Sequence, residues 1–151
     1  MKRDSRLSAV LHALLHMAEQ RGPMTSEALG QCLGTNPVVV RRTMGLLREA
    51  GLVSAGRGRD GGWTITADLA SVTLRDLHEA LGEPALFAVG HRSEHPGCLV
   101  EQVVNAALNE AFEDAEALLL ERFASVSLAQ LADAFARRHK AHKARARRSA
   151  A

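Results

Sequence analysis

The chain has 151 residues, of which 46% are hydrophobic but only 3% aromatic; this permits one compact helix-rich domain with an extension, and it excludes wholesale disorder and an aromatic base-stacking platform. The net charge of +2 is segregated: residues 1–65 carry nine Lys/Arg against five Asp/Glu, residues 66–136 three against twelve, and residues 137–151 seven against none. The two ends, not the acidic middle, are suited to meet a polyanion.

At the N-terminus, MKRDSRLSAVLHALLHMAEQ carries charge within its apolar part and lacks a small-residue cleavage site. No apolar run approaches the roughly 18 residues of a membrane span, so an unexported, cytoplasmic protein is expected. Cys32 and Cys98 are too few for a disulfide framework. Leu7, Val10, Leu11, Leu14, Leu15 and Ala18 recur at helical spacing until Gly22-Pro23, which predicts a first amphipathic helix over residues 5–20. Thr25 or Ser26 can cap a short second helix with Ala28, Leu29, Cys32 and Leu33 as its apolar positions, which puts Cys32 in the core; Gly34 closes it. Asn36 is a good N-cap, and Pro37 then falls at the first helical position, where its missing N–H costs nothing. From there Val40, Met44 and Leu47 share one face, while Val38, Arg41, Arg42, Gly45 and Arg48 project from others. Gly51 is the C-cap.

GRGRDGG at 56–62 lies between two β-prone stretches, Leu52 to Ser54 and Trp63 to Thr66, and predicts a hairpin. Thr73 can cap a fourth short helix, Leu74 to Leu81, and residues 82–97 read as a loop. From Leu99 to about Ala124 nothing interrupts a helix of about 39 Å at 1.5 Å per residue. Its apolar positions at three and four leave Glu101, Glu110, Glu113, Glu116 and Glu121 largely outward, as a solvated face rather than paired catalytic carboxylates. Ser127 caps a last helix, Leu128 to about Arg138, followed by the basic tail HKAHKARARRSAA.

This order predicts a mainly α fold with a small β-hairpin wing: a winged helix-turn-helix domain (1–82), a linker loop (83–98), dimerisation helices (99–138) and a basic disordered tail (139–151). In such a domain the second helix of the turn enters the DNA major groove, where arginine can meet guanine and valine a thymine methyl. Thr35, Asn36, Val38, Val39, Arg41 and Arg42 are the candidates there, and Arg57, Gly58 and Arg59 would lie in the wing at a narrow minor groove. The apolar stripe Val100, Val104, Ala107, Leu108, Ala111, Phe112, Ala115 and Leu119 is a candidate homodimer interface, because a small domain could hardly cover it. Two dimer-related recognition helices would read a pseudo-palindromic site. The tail has two readings, a flexible solubilising segment or a DNA-backbone contact.

The stretch LGTNPVVVRRTMGLLREAGLVSAGRGRDGGW resembles the DNA-binding part of the Rrf-two family of bacterial winged-helix regulators, and the short helix TLRDLHEALGEP, the loop HPGCLV and the long helix extend the resemblance over nearly the whole chain. It implies a transcriptional regulator, most often a repressor, paired through the long helix. Sensing members hold an iron–sulfur cluster through three cysteines, whose positions correspond to Arg92, Cys98 and Val104; only Cys98 is a thiol, so no cluster is expected. Cluster-free members make thiol-redox sensing at Cys98 a reading, supported by its place before a helix N-terminus. His12 with His16, and His91 with His95 and Cys98, have spacings that can hold a transition metal, but neither set completes a ligand shell, so no metal site is assigned. A cysteine-dependent redox enzyme and a winged-helix adaptor without DNA binding are the alternatives. The first lacks a CxxC or a triad partner, and the second sits badly with the intact arginines.

Overall fold

The computed structural model of the chain describes residues 4–59, 61–87 and 97–150. Helix α1 (Arg6–Gln20) buries Val10, Ala13, Leu14 and Met17, the three-and-four row that the sequence marks, and Arg21 in the left-handed region (φ 48°) ends it one residue before Gly22. In α2 (Ser26–Leu33) the Thr25 hydroxyl accepts the Ala28 N–H at 3.1 Å and Gly34 closes the helix at φ 62°. In α3 (Pro37–Glu49) Asn36 Oδ1 accepts the Val38 N–H at 2.8 Å, with Pro37 in the first turn and Val40, Met44 and Leu47 buried.

The rotation of α2 corrects one expectation. Its buried side runs through Ser26, Leu29 and Gly30, with Leu33 packed against the core, and Cys32 is exposed. Two contacts set that rotation: Trp63 Nε1–H donates to the buried Ser26 Oγ at 2.9 Å, and Gly30 lies against the backbone between Thr35 and Pro37. Cys32 falls off the face they define.

Leu52 N–H closes α3 onto the Leu47 carbonyl at 2.9 Å, and the chain enters β1 (Val53–Ala55), which pairs antiparallel with β2 (Trp63–Ile65) in the register Val53 to Ile65, Ser54 to Thr64 and Ala55 to Trp63. Both strands are short, and the hairpin gains a further rung because Met24 pairs with Trp63 through two backbone bonds of 3.0 and 2.8 Å. The segment between α1 and α2 thus serves as a third edge for the wing. Helix α4 (Leu74–Ala80) starts with a full capping box: Thr73 Oγ1 accepts the Asp76 N–H, and the Asp76 carboxylate accepts the Thr73 N–H at 2.7 Å.

Helix α5 (Leu99–Ala124) has the predicted span, but none of its residues is buried. The expected single stripe divides into two. Phe112 and Leu119 are half-buried on the side of α5 that also partly covers Glu101 and Glu116, both expected outward, while Val100, Val104, Leu108, Ala107, Ala111 and Ala115 are exposed. At the C-terminal end of that side α4 packs on α5 and brings the His78 ring to 6.3 Å from Phe123. After Ser125 and Val126 the chain doubles back; Leu74 N–H bonds the Val126 carbonyl at 3.0 Å, Leu128 N–H the Val72 carbonyl at 2.8 Å and Ala129 N–H the Leu69 carbonyl at 2.9 Å. Helix α6 (Leu128–Ser149) opens on the Ser127–Gln130 capping box, packs its buried Leu128 into the core and lies along α1.

Helix α6 also departs from expectation at its far end. It continues to Ser149, so residues 139–149 are helical where a disordered tail was expected. Alanine, lysine and arginine are strong helix formers, no Gly or Pro interrupts them, and cations in the last turns suit the helix dipole. High charge alone does not bring disorder where propensity favours a helix. Among the described residues, no helix is long and apolar enough to cross a membrane.

Candidate nucleic-acid interface

The turn between α2 and α3 is tight because of one glycine. A Cβ on Gly30 would meet the Thr35 carbonyl oxygen at 2.8 Å, so only glycine lets the backbone after α2 fold back and start α3 at Asn36. Thr35 N–H bonds the Gly30 carbonyl at 2.9 Å across the same turn. This places the first turns of α3 outward, and Val38 and Val39 remain 54% and 50% exposed although each is a large apolar residue beside a well-filled core. Val39 also lines a cavity of about 210 Å³ between α1 and α3, with Ala9, Ala13, Leu33 and Val40 among its walls.

Arg41 and Arg42 are both exposed on the same stretch. Arg41 Nη1 reaches Glu27 Oε1 of α2 at 3.4 Å, a contact between two solvent-exposed groups that is worth little in energy but limits where Arg41 points. Asn36 is present but its Oδ1 is engaged as the cap, so its direct role is to set the N-terminus of α3. Glu27 and Gly30 escaped the sequence reading. An acid on a basic face and a glycine inside a short helix are the signals that could have flagged them.

In the wing, Gly56 N–H bonds the Gly62 carbonyl at 2.8 Å and Gly61 N–H the Gly58 carbonyl at 3.1 Å; Gly58 sits at φ 86°, and a Cβ on Gly61 would strike Gly56 O at 2.7 Å. The glycines are therefore conditions of the turn, and they leave Arg57 and Arg59 on an exposed tip. Met24, Ser26 and Trp63 join this hairpin to α2, so the wing and the α2–α3 pair are carried by one framework.

Cys98 lies at the N-cap of α5 and is exposed. Its Sγ meets no strict capping geometry, yet the backbone N–H of Glu101, and secondarily that of Val100, favour the thiolate and lower the thiol's pKa below the ordinary cysteine value. His12 and His16 bring their Nε2 atoms to 3.0 Å on the outer face of α1. His91, His95 and Arg92 lie outside the described residues, and among the described residues no three His, Cys, Asp or Glu side chains gather as a metal would require. His78 is buried; its Nε2–H donates to the Pro84 carbonyl at 2.9 Å, and its Nδ1 has no partner among the described residues.

The Rrf2 family model, described as an iron-dependent transcriptional regulator, matches residues 3–134. YwnA of Bacillus subtilis, named as an HTH-type transcriptional regulator, is 32% identical over 126 residues, covering 83% of this chain and 92% of that protein. YwgB of the same organism, named likewise, is 31% identical over 114 residues, 69% of this chain and 72% of its own. A solved structure described as a DNA-binding protein superposes with a TM-score of 0.66 at 28% identity, over 84% of this chain and 98% of that one. CymR, described as the global cysteine regulator of Bacillus subtilis, shares the fold with a TM-score of 0.60 at 22% identity, over 88% of this chain and 97% of that one. Among the described residues, the iron in the family description finds no fitting donor set for a cluster. Cys98 is the one thiol at the start of α5, Val104 offers no donor atom, and Cys32 belongs to α2.

Proposed function

The chain belongs to the Rrf2 family of transcriptional regulators, and from that premise we propose that it works in the cytoplasm as a homodimeric DNA-binding repressor on a pseudo-palindromic operator. The observation that carries this reading is the face of α3: Val38, Val39, Arg41 and Arg42 stand exposed at its N-terminal end, beside a glycine-arginine wing fastened to the same framework. Valine side chains suit thymine methyls, a guanidinium suits guanine O6 and N7, and the wing arginines suit the minor groove. The homodimer is supported by the exposed side of α5, where Leu99, Val100 and Val103 are 70% exposed or more.

Cys98 is the group through which an oxidant would act on this regulator, because its thiolate is favoured and it opens the helix proposed to pair the subunits. The test is footprinting of the purified protein on DNA from its own upstream region, with the thiol reduced and then treated with peroxide. A protected palindrome that is lost on oxidation supports both parts. Protection that survives oxidation removes Cys98 from the function, and no protection at all, under reducing conditions and low salt, removes the repressor reading.

A further inference from the structure

The family model ends at residue 134, inside α6, and the helix carries on to Ser149. From Ala134 onward the chain has seven cations and no acid. We propose that residues 137–149 form a helical arm that grips the phosphate backbone of duplex DNA independently of sequence; this rests on the DNA-binding reading above and adds a second contact to it.

Four observations point that way. The arm grows out of the DNA-binding half itself, since the base of α6 is anchored by Leu128 in the core and lies along α1. Its cations are all exposed, and among the described residues no ion pair ties any of them to the acidic α5 or to another part of the chain. They are also set against one another: Arg137 and Lys140, Lys140 and Lys143, and Lys143 and Arg147 are three or four apart, where like charges on a helix repel. A polyanion would relieve that repulsion. Finally, Arg137, Lys140, Arg147 and Arg148 fall on one side of the helix with Ala144 between them, so the side chains separating the cations are too small to hold a backbone away. That face spans about 17 Å at 1.5 Å per residue, about five base-pair steps along the axis of a duplex, which carries a phosphate of each strand about every 3.4 Å of its axis. A duplex offers that regular row of charge, whereas the acids of α5 are interleaved with apolar residues.

The experiment compares the full chain with the variant Arg137→Gln/Lys140→Gln/Arg147→Gln/Arg148→Gln, titrating both onto the footprinted duplex and onto a scrambled duplex of equal length between 50 and 200 mM salt. Glutamine keeps helix propensity, and circular dichroism checks the fold. The slope of log K against log salt should become shallower by about 0.9 for each phosphate released. Affinity at the low-salt end should fall on both duplexes alike, leaving their ratio unchanged. A companion variant, Arg137→Lys/Arg147→Lys/Arg148→Lys, should keep the slope of the parent. Equal slopes in parent and glutamine variant, with the operator still bound, overturn the arm and leave the regulator reading standing. Failure of the parent to bind either duplex overturns both. Equal slopes joined to arm-dependent binding of polyglutamate would assign the arm to an acidic protein instead.

Discussion

Gly30 shows how much a single residue can decide here. With the Thr35 carbonyl 2.8 Å from where its Cβ would stand, Gly30→Ala must push α2 away from the start of α3 or bend the turn between them. Such overpacking costs about 1–3 kcal/mol, against at most about 1 kcal/mol gained in helix propensity. A lower melting temperature and weaker operator binding are expected, and an unchanged melting curve would show that the turn yields freely. Arg42→Ala should weaken binding to the operator by roughly 1–3 kcal/mol while sparing scrambled DNA, if the guanidinium makes a bidentate contact to a base. An equal loss on both duplexes would make it a phosphate contact instead. For Cys98 the sign is fixed by the helix start: backbone N–H groups stabilise the thiolate, so the pH midpoint for alkylation should lie below that of a free cysteine peptide. Mass spectrometry of iodoacetamide-labelled peptides across pH measures it, and a midpoint at or above the peptide's contradicts the assignment.

At the scale of elements, helix boundaries were legible because they depend on neighbours in sequence. Thr25, Asn36, Thr73 and Ser127 each accept a bond from a first-turn amide; the last three were identifiable from residue type and spacing alone, while Thr25 stood beside Ser26 as one of two candidates. Thr73→Ala removes one such bond and should cost about 1 kcal/mol in chemical denaturation; a change near zero would mean that Asp76 carries the box unaided. The joint between wing and α2 was not legible. Trp63 reaches Ser26 across 37 residues of sequence, and nothing local to either announces it. Trp63→Phe keeps the ring in the core but leaves the Ser26 hydroxyl buried without its donor, a loss of about 1–3 kcal/mol. Loosening of the wing should follow, read as faster exchange of the Met24 and Trp63 amides that now hold one another.

Across the whole molecule the charge pattern and the bare side of α5 set the remaining expectations. A monomer that leaves Leu99, Val100, Val103 and Leu118 each about 70% exposed has surface that water does not favour. Val100→Asp/Val103→Asp should yield a folded monomer by light scattering that no longer protects a palindrome, because the two half-sites would be bound separately. A dimer that persists with both aspartates places the interface elsewhere. The acidic middle and basic ends, already visible as counts, become in the structure an exposed arginine-bearing face on α3, an acidic long helix and a basic helical end of α6.

The sequence by itself determined the element order, the caps, the hairpin and the exposed Val-Arg face, since these follow from side-chain periodicity and bonds within a few residues. Only the tertiary structure decided how those elements turn. It rotated Cys32 out of the core because Ser26 and Gly30 must face Trp63 and the Thr35 turn, and it left one side of α5 half-buried and the other bare. A short helix has several rotations that satisfy its own apolar positions almost equally, and the partner packed against it selects one.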